Sequence, residues 1–324
     1  MRLASVLTPL SDENLQLASQ TSVTDIVSRY PGPKLDELLA RKERIESFGL
    51  RWSVIEDFLP IENVILGNDR RDDEIEELTQ LIRNMATADI PILCYNFMAG
   101  TDWVRTSLDA PERGGARVTA FDLSRVETAV SLENVDDPSK TARPVEHQAI
   151  SAEQLWDNLE YFLNRIVPVA ESCGVSLAMH PDDPPLPEFL GRARIMSSVE
   201  NFTRLTSIVP SPSNGICFCQ GTFAAMGADI PAAIHQLGKS IRYVHFRDVQ
   251  GTRQCFAETF HDNGPTDMVA AMRAYRAIGF DGPIRPDHVP QLCGEDDGEP
   301  GYTMLGRLYA YGYIRGLMQA TEDR

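Results

Sequence analysis

Basic residues are scarce in this chain: 30 lysines and arginines stand against 47 aspartates and glutamates, for a formal net charge of −17. Nucleic-acid binding starts from a basic footprint on the phosphates, so this balance excludes nucleic acid as the expected partner. Long apolar runs are lacking too, and no window reaches the roughly 20 residues needed to cross a bilayer. The start, Met1-Arg-Leu-Ala-Ser-Val-Leu-Thr-Pro-Leu10, carries one basic residue and a short apolar stretch, and reads as a first strand rather than a secretory signal. Six cysteines (Cys94, Cys173, Cys217, Cys219, Cys255, Cys293) in 324 residues are too sparse for a disulfide scaffold. They point to a reducing, cytoplasmic setting. Internal repeats, low-complexity tracts and Gly/Ser or Pro-rich linkers are absent as well, so a single domain over 1–324 is expected.

What is present is an alternation of strand and helix signals. Arg2 to Leu7 reads as a strand, Ser11-Asp-Glu-Asn14 as a capped helix start, and Val23 to Val27 as a second strand. Pro33 to Phe48 is amphipathic, with Leu35, Leu38, Leu39, Ile45 and Phe48 at helical spacing and Gly49 at its end. Leu50 to Ile55 is the third strand, Asp72 to Met85 a helix with an acidic first turn, and Ile90 to Cys94 the fourth strand. From Asn96 to about residue 150 regularity lapses, and Gly114-Gly115 and Asp136-Asp137-Pro138 predict a long excursion with one or two short elements. The alternation resumes with a helix over Ala152 to Cys173 and strands at 176–179, 215–218, 241–244 and 282–285. Helices separate these strands, and the last runs from about Tyr302 to Ala320. Eight strand-helix pairs predict a (β/α)8 barrel rather than an open doubly wound sheet, with the chemistry at the carboxyl ends of the strands.

Four of the predicted strands end in groups that ligate metals. Ser176-Leu-Ala-Met-His180 runs into Pro-Asp-Asp-Pro-Pro185, and Gly215-Ile-Cys-Phe-Cys219 into Gln-Gly-Thr222. Ile241-Arg-Tyr-Val-His245 leads into Phe-Arg-Asp248, and Pro283-Ile-Arg-Pro-Asp287 into His288. Two imidazoles, a thiolate and a carboxylate on neighbouring strands form a competent donor set for one divalent ion. Each residue alone has a plain structural explanation, such as a turn cap, a small buried thiol or a backbone hydrogen bond; the shared strand-end position is what joins them. A thiolate ligand disfavours Mg²⁺ and leaves Mn²⁺, Fe²⁺, Co²⁺ or Zn²⁺. Cys217 lies two residues before Cys219, on the same face but deeper, and is expected to pack. With no second cysteine pair in the sequence, Cys217-Phe-Cys219 is not expected to form a separate metal or redox site.

These motifs resemble those of the mannonate dehydratase family, metal-dependent barrels related to xylose isomerase. The likeness rests on His-Pro-Asp-Asp-Pro-Pro at 180–185, Cys-Gln-Gly-Thr at 219–222, Val-His-Phe-Arg at 244–247 and Arg-Pro-Asp-His at 285–288. It extends to Trp52-Ser-Val-Ile-Glu56, Cys94-Tyr-Asn-Phe-Met98, Asp102-Trp-Val-Arg-Thr106 and Gly301-Tyr302 followed by Gly306-Arg307-Leu308. The resemblance implies conversion of D-mannonate to 2-dehydro-3-deoxy-D-gluconate and water, usually with Mn²⁺. His180, Cys219, His245 and Asp287 would then be the ligands, and Tyr302 and His288 would transfer protons. Arg105 and Arg247 are candidates for gripping the substrate carboxylate, and Asn96 for bonding a hydroxyl. The loop Gly294-Glu-Asp-Asp-Gly-Glu-Pro-Gly301 would close over the site.

The chain departs from the family pattern at several places. Ser28-Arg-Tyr-Pro-Gly32 stands where the family carries histidines, Ala257 replaces a histidine in a Phe-His-Glu segment, and Val289 replaces a glycine. Two rival readings therefore stay open: a metal-dependent sugar or keto-acid isomerase or epimerase, and a barrel that has lost catalysis. A small sugar acid is the expected partner, membrane association is not expected, and a homo-oligomer is left open.

Overall fold

The computed structural model describes residues 1–57, 59–100, 103–131 and 149–322. Its strands in chain order begin with β1 (Arg2–Val6), β2 (Asp25–Arg29), β3 (Arg51–Glu56) and β4 (Ile92–Tyr95). The excursion then contributes β5 (Val104–Arg105), β6 (Ser107–Pro111), β7 (Arg117–Asp122) and β8 (Val130–Ser131). They continue with β9 (Ser176–Met179), a hairpin of β10 (Glu188–Phe189) and β11 (Arg192–Ala193), β12 (Asn214–Cys219) and β13 (Ile241–His245). The last are β14 (Val249–Thr252), β15 (Cys255–Glu258) and β16 (Pro283–Arg285). Eight of them close a barrel in the order β1-β16-β13-β12-β9-β4-β3-β2, every pair parallel. That is the expected (β/α)8 architecture.

Helices α1 (Asp12–Gln20), α2 (Leu35–Glu46), α3 (Glu62–Leu66), α4 (Arg71–Thr87) and α5 (Ala152–Cys173) follow the first four barrel strands and the excursion. Helices α6 (Val199–Ile208), α7 (Gln220–Ala225), α8 (Ile230–Leu237), α9 (Met268–Ala277) and α10 (Met304–Ala320) complete the set. Local chemistry sets their ends. Ser151 and Gln154 form a reciprocal capping box at the start of α5, Gly174 ends it at φ 68°, and Asp229 and Asp267 cap α8 and α9. Among the described residues, no helix is long and apolar enough to cross a membrane.

The apolar residues fall into an outer shell between strands and helices, a smaller cluster inside the barrel, and a third around Val104, Phe121, Phe189 and Phe256. The inner cluster holds Ala4, Val6, Val27, Val54, Ile92, Cys94, Ala178, Cys217 and Tyr243. It forms a floor, and two residues further along several strands the lining turns polar, as at Glu56, His180 and His245.

Three expectations change. The second strand begins at Asp25 rather than Val23, because Asp25 is buried against Arg2 (3.0 Å) and bonded to Ser53 and Thr24. A carboxylate satisfied by a distant guanidinium looks like a turn residue in a local pattern. The excursion holds more structure than expected. Strands β6 and β7 join β15 and β14 in a four-stranded antiparallel sheet, and β5 pairs with β8. Cross-strand partners more than a hundred residues away supply that order, which no local pattern carries. The Asp136-Asp137-Pro138 turn, like all of 132–148, lies outside the described residues. The last helix starts at Met304, so Tyr302 sits in the turn before it.

Candidate active site

Register brings the strand-end groups level. Cys219 of β12 pairs with His245 of β13, and His245 with Arg285 of β16. His180 follows the last residue of β9 and donates its backbone N–H to Tyr95 of β4 at 2.7 Å. As a result the ligand atoms of His180, Cys219 and His245 all lie within 4.8 Å of one another. Asp287 approaches the same point, its Oδ2 3.7 Å from Cys219 Sγ and 3.6 Å from His245 Nδ1. Its backbone is left-handed at φ 60°, a conformation that aspartate tolerates better than most residues. The four sequence candidates thus come together at one end of the barrel.

The electrostatics of this cluster favour a cation. Burial opposes ionisation of the Cys219 thiol, yet the Arg247 guanidinium and His180 hold it well below its ordinary value. Against its own burial, the His180 imidazole is pushed up to about 9 by the Cys219 sulfur. Positive charge is therefore stabilised between sulfur and imidazole. Two imidazoles, a thiolate and a carboxylate within this span fit a first-row divalent ion.

Each family-like motif has a physical reason. In Cys219-Gln-Gly-Thr222, the Thr222 hydroxyl donates to Cys219 Sγ (3.1 Å) and accepts from Arg247 (3.0 Å). A Cβ on Gly221 would stand 2.5 Å from that guanidinium, so only glycine lets Arg247 pass. In His180-Pro-Asp-Asp, His180 Nδ1 lies 2.7 Å from its neighbour's carbonyl, which fixes the ring. Asp182 accepts from the Met196 N–H at 2.6 Å, and Asp183 receives two hydrogen bonds from Arg105 at 2.7 and 3.0 Å.

Arg105 and Arg247 occupy other surroundings than a substrate grip offers. Both are fully buried: Arg105 pairs with Asp183 and Glu258 (2.8 Å), Arg247 with Glu258 (2.8 Å), Asp183 (3.2 Å) and Asp287 (2.5 Å). Neither lines the cavity beside the four candidate residues, and three carboxylates already satisfy them. The arginine that does face the cavity is Arg285, paired with Glu56 and Asp287 at 2.8 Å each. Asn96 lines the same cavity.

His288 and Tyr302 line it as well, their rings 5.5 Å apart and both against Trp103. Trp103 stacks on His288, with centroids 4.4 Å apart and planes 17° from parallel, and meets Tyr302 edge-on at 5.3 Å. His288 Nδ1 lies 2.9 Å from Glu258 Oε1. Burial pushes the Tyr302 phenol well above its ordinary value against the pull of Arg285, so the group stays protonated. Arg29 and Arg307 lie over the Tyr302 ring at 5.4 Å each. The loop 294–301 is tied down by Glu299 on Arg29 and Asp296 on Arg117 (2.6 Å).

Sequence reasoning passed over Glu56, Asp183, Glu258 and Arg285. Glu56 accepts from the Tyr243 hydroxyl at 2.9 Å and faces His245 Nε2 at 3.2 Å, an arrangement that orients a metal-binding imidazole. The signal was present, since Glu56 also ends a barrel strand and Asp183 and Arg285 sit inside the quoted motifs.

Comparison with known proteins identifies the family. The family model described as D-mannonate dehydratase (UxuA) matches residues 14–324. "Mannonate dehydratase 2" of Halalkalibacterium halodurans is 35% identical over 319 residues, covering 94% of this chain and 92% of that protein. Mannonate dehydratase of Thermotoga maritima is 36% identical over 311 residues, covering 89% and 86%. The crystal structure of mannonate dehydratase from Streptococcus suis serotype 2 superposes with a TM-score of 0.86 at 31% identity, over 99% of this chain and 93% of that one. An L-ribulose 3-epimerase structure, at 16% identity and a TM-score of 0.62 over 99% and 95%, shares the fold alone. This chain belongs to the D-mannonate dehydratase family.

Proposed function

We propose that this chain, as one barrel domain, removes water from D-mannonate to give 2-dehydro-3-deoxy-D-gluconate. The observation that carries the reading is the meeting of His180, Cys219, His245 and Asp287 beside a cavity that His180, His245 and Asp287 line together with His288 and Tyr302. Family membership implies a divalent metal. We assign His180, Cys219, His245 and Asp287 as its ligands and Mn²⁺ as the ion, with Fe²⁺, Co²⁺ and Zn²⁺ able to occupy the same donor set. When bound, the ion supplies Lewis-acid stabilisation of the negative charge that builds on the substrate carboxylate and hydroxyl oxygens.

The reaction takes a proton from C2 and hydroxide from C3, and the resulting enol becomes the 2-keto-3-deoxy acid. His288 suits the first task. Glu258 holds its Nδ1 as the protonated nitrogen and leaves Nε2 to accept the C2 proton. Tyr302 suits the second, because burial keeps its phenol protonated until the departing hydroxyl needs a proton. Arg285 is the cation we assign to the substrate carboxylate, with Asn96 on a hydroxyl. Arg105 and Arg247 hold Asp183, Asp287 and Glu258 in place. A reducing, cytoplasmic setting belongs to the same reading, since all six cysteines are free thiols.

The test is incubation of purified protein with D-mannonate and added Mn²⁺. A 2-keto-3-deoxy acid is the expected product, and its absence with every aldonate tried, despite bound metal, would remove the proposal. Running the assay in deuterated water separates the isomerase reading, which exchanges the carbon-bound proton without losing water.

A further inference from the structure

Directly beneath the proposed ligands lies a second set of soft donors. Cys94 of β4 and Cys217 of β12 come from strands separated only by β9, which places the small Ala178 beside Cys94. Their sulfurs and a ring nitrogen of His245 all lie within 4.8 Å of one another. Three ligands each about 2.3 Å from one ion stand about 4 Å apart or less. The three groups therefore need to close on one another by about 1 Å or less to share one. On sequence grounds Cys217 looked like packing because it lies deeper than Cys219 on the same face, and no second cysteine pair was in view; the barrel supplies Cys94 from 123 positions earlier.

We propose that Cys94, Cys217 and His245 form a second, soft-metal site of this barrel, one that takes a thiophilic divalent ion such as Zn²⁺ or Cd²⁺ rather than Mn²⁺. Two thiolates and a neutral imidazole favour a soft ion over a hard one. Charge argues the same way. As each thiol binds it gives its proton to solvent, and two thiolates with one divalent ion make a neutral unit. Neutrality is the condition for burial among Ala4, Val6, Val54 and Ile92. An entry path exists as well, since Cys94 and His245 both line the cavity above. His245 belongs to both groups of donors, so an ion in the lower site shares a side chain with the upper one.

The test uses the full chain with exposed thiols alkylated under native conditions and metal removed by chelation. A Cys219→Ser variant silences the upper sulfur, and Cd²⁺ is titrated while the thiolate-to-cadmium charge-transfer band is read in the ultraviolet. The expected result is one ion per chain with the absorbance of two thiolates, falling at least twofold when Cys217→Ser or Cys94→Ser is added. A band unchanged by either second substitution would overturn the site. Should the double variants not fold, ¹¹³Cd NMR of Cys219→Ser alone decides: a shift typical of two sulfur ligands supports the proposal, and one typical of oxygen and nitrogen ligands refutes it. Neither readout depends on dehydratase activity, so failure here and failure of the proposed reaction are distinct.

Discussion

Glu258 Oε1 lies 2.9 Å from His288 Nδ1, and the same carboxylate receives guanidinium hydrogen bonds from Arg105 and Arg247. A carboxylate so held cannot swing away, so the imidazole it grips keeps one tautomer and one orientation. If His288 is the base, His288→Asn removes proton abstraction while leaving the ring stack on Trp103 largely replaced by solvent. The expected loss in kcat is about 10²- to 10⁴-fold, with a much smaller change in KM. Steady-state kinetics on D-mannonate checks it, and an unchanged kcat would take His288 out of the mechanism.

Tyr302→Phe should cost kcat by a similar order, about 10²- to 10⁴-fold, for a different reason. The ring still meets Trp103 edge-on and still lies under Arg29 and Arg307, so the melting temperature should barely move. The two variants separate in deuterated water. With Tyr302 as the acid, Tyr302→Phe still exchanges the C2 proton with solvent but stalls before losing hydroxide, whereas His288→Asn loses exchange and elimination together. Exchange surviving in His288→Asn and vanishing in Tyr302→Phe would reverse the assignment.

The legible parts of this chain were those carried by short local patterns. A strand ending in His180, Cys219, His245 or Asp287 announces itself, and eight such strand-helix repeats announce a barrel. What stayed hidden depended on partners far away in sequence. Asp25 reads as a loop residue until Arg2 is placed beside it. Arg105 and Arg247 read as substrate grips until Asp183 and Glu258 surround them. The β6–β7 hairpin is orphaned on paper because its sheet partners, β14 and β15, come more than a hundred residues later. Burial of a charge is a property of tertiary structure, and for Asp25, Arg105 and Arg247 it was burial that changed the role.

Glu56→Gln tests the support beneath the proposed metal ligands. Glu56 receives the Tyr243 hydroxyl, faces His245 Nε2 and pairs with Arg285. The amide keeps the volume but gives up the charge that orients the imidazole. Metal affinity should fall about 10- to 100-fold, read by competition with a chelating dye. Full activity should return at saturating Mn²⁺ if the role is orientation alone.

Removing the metal should also lower stability. A ligand that binds only the folded chain adds about 2.7 kcal/mol at a hundredfold excess over Kd. Chelator-treated protein is therefore expected to melt lower and to recover on titration with Mn²⁺, while Cys219→Ala should show a much smaller recovery. Equal melting temperatures with and without metal would mean that no ion is held.

The last prediction concerns acid. Asp183 is buried, which would raise its pKa, but Arg105 and then Arg247 hold it down to about 2 from an ordinary 3.8. A carboxylate depressed in the folded state stabilises the protein fully above its unfolded value, and that stabilisation is lost as pH falls through the folded one. Asp183 should thus support the fold above about pH 4 and cease to do so as pH drops toward 2. Asp183→Asn takes one charged partner from each of two buried guanidiniums and leaves Glu258 to both, at a cost of up to about 3–5 kcal/mol at neutral pH. Denaturant midpoints measured from pH 7 down to the acid limit check both statements. The gap between wild type and variant should be wide at pH 7 and should close below pH 4, and a gap independent of pH would show that the carboxylate's charge is not what holds Arg105 and Arg247 in place.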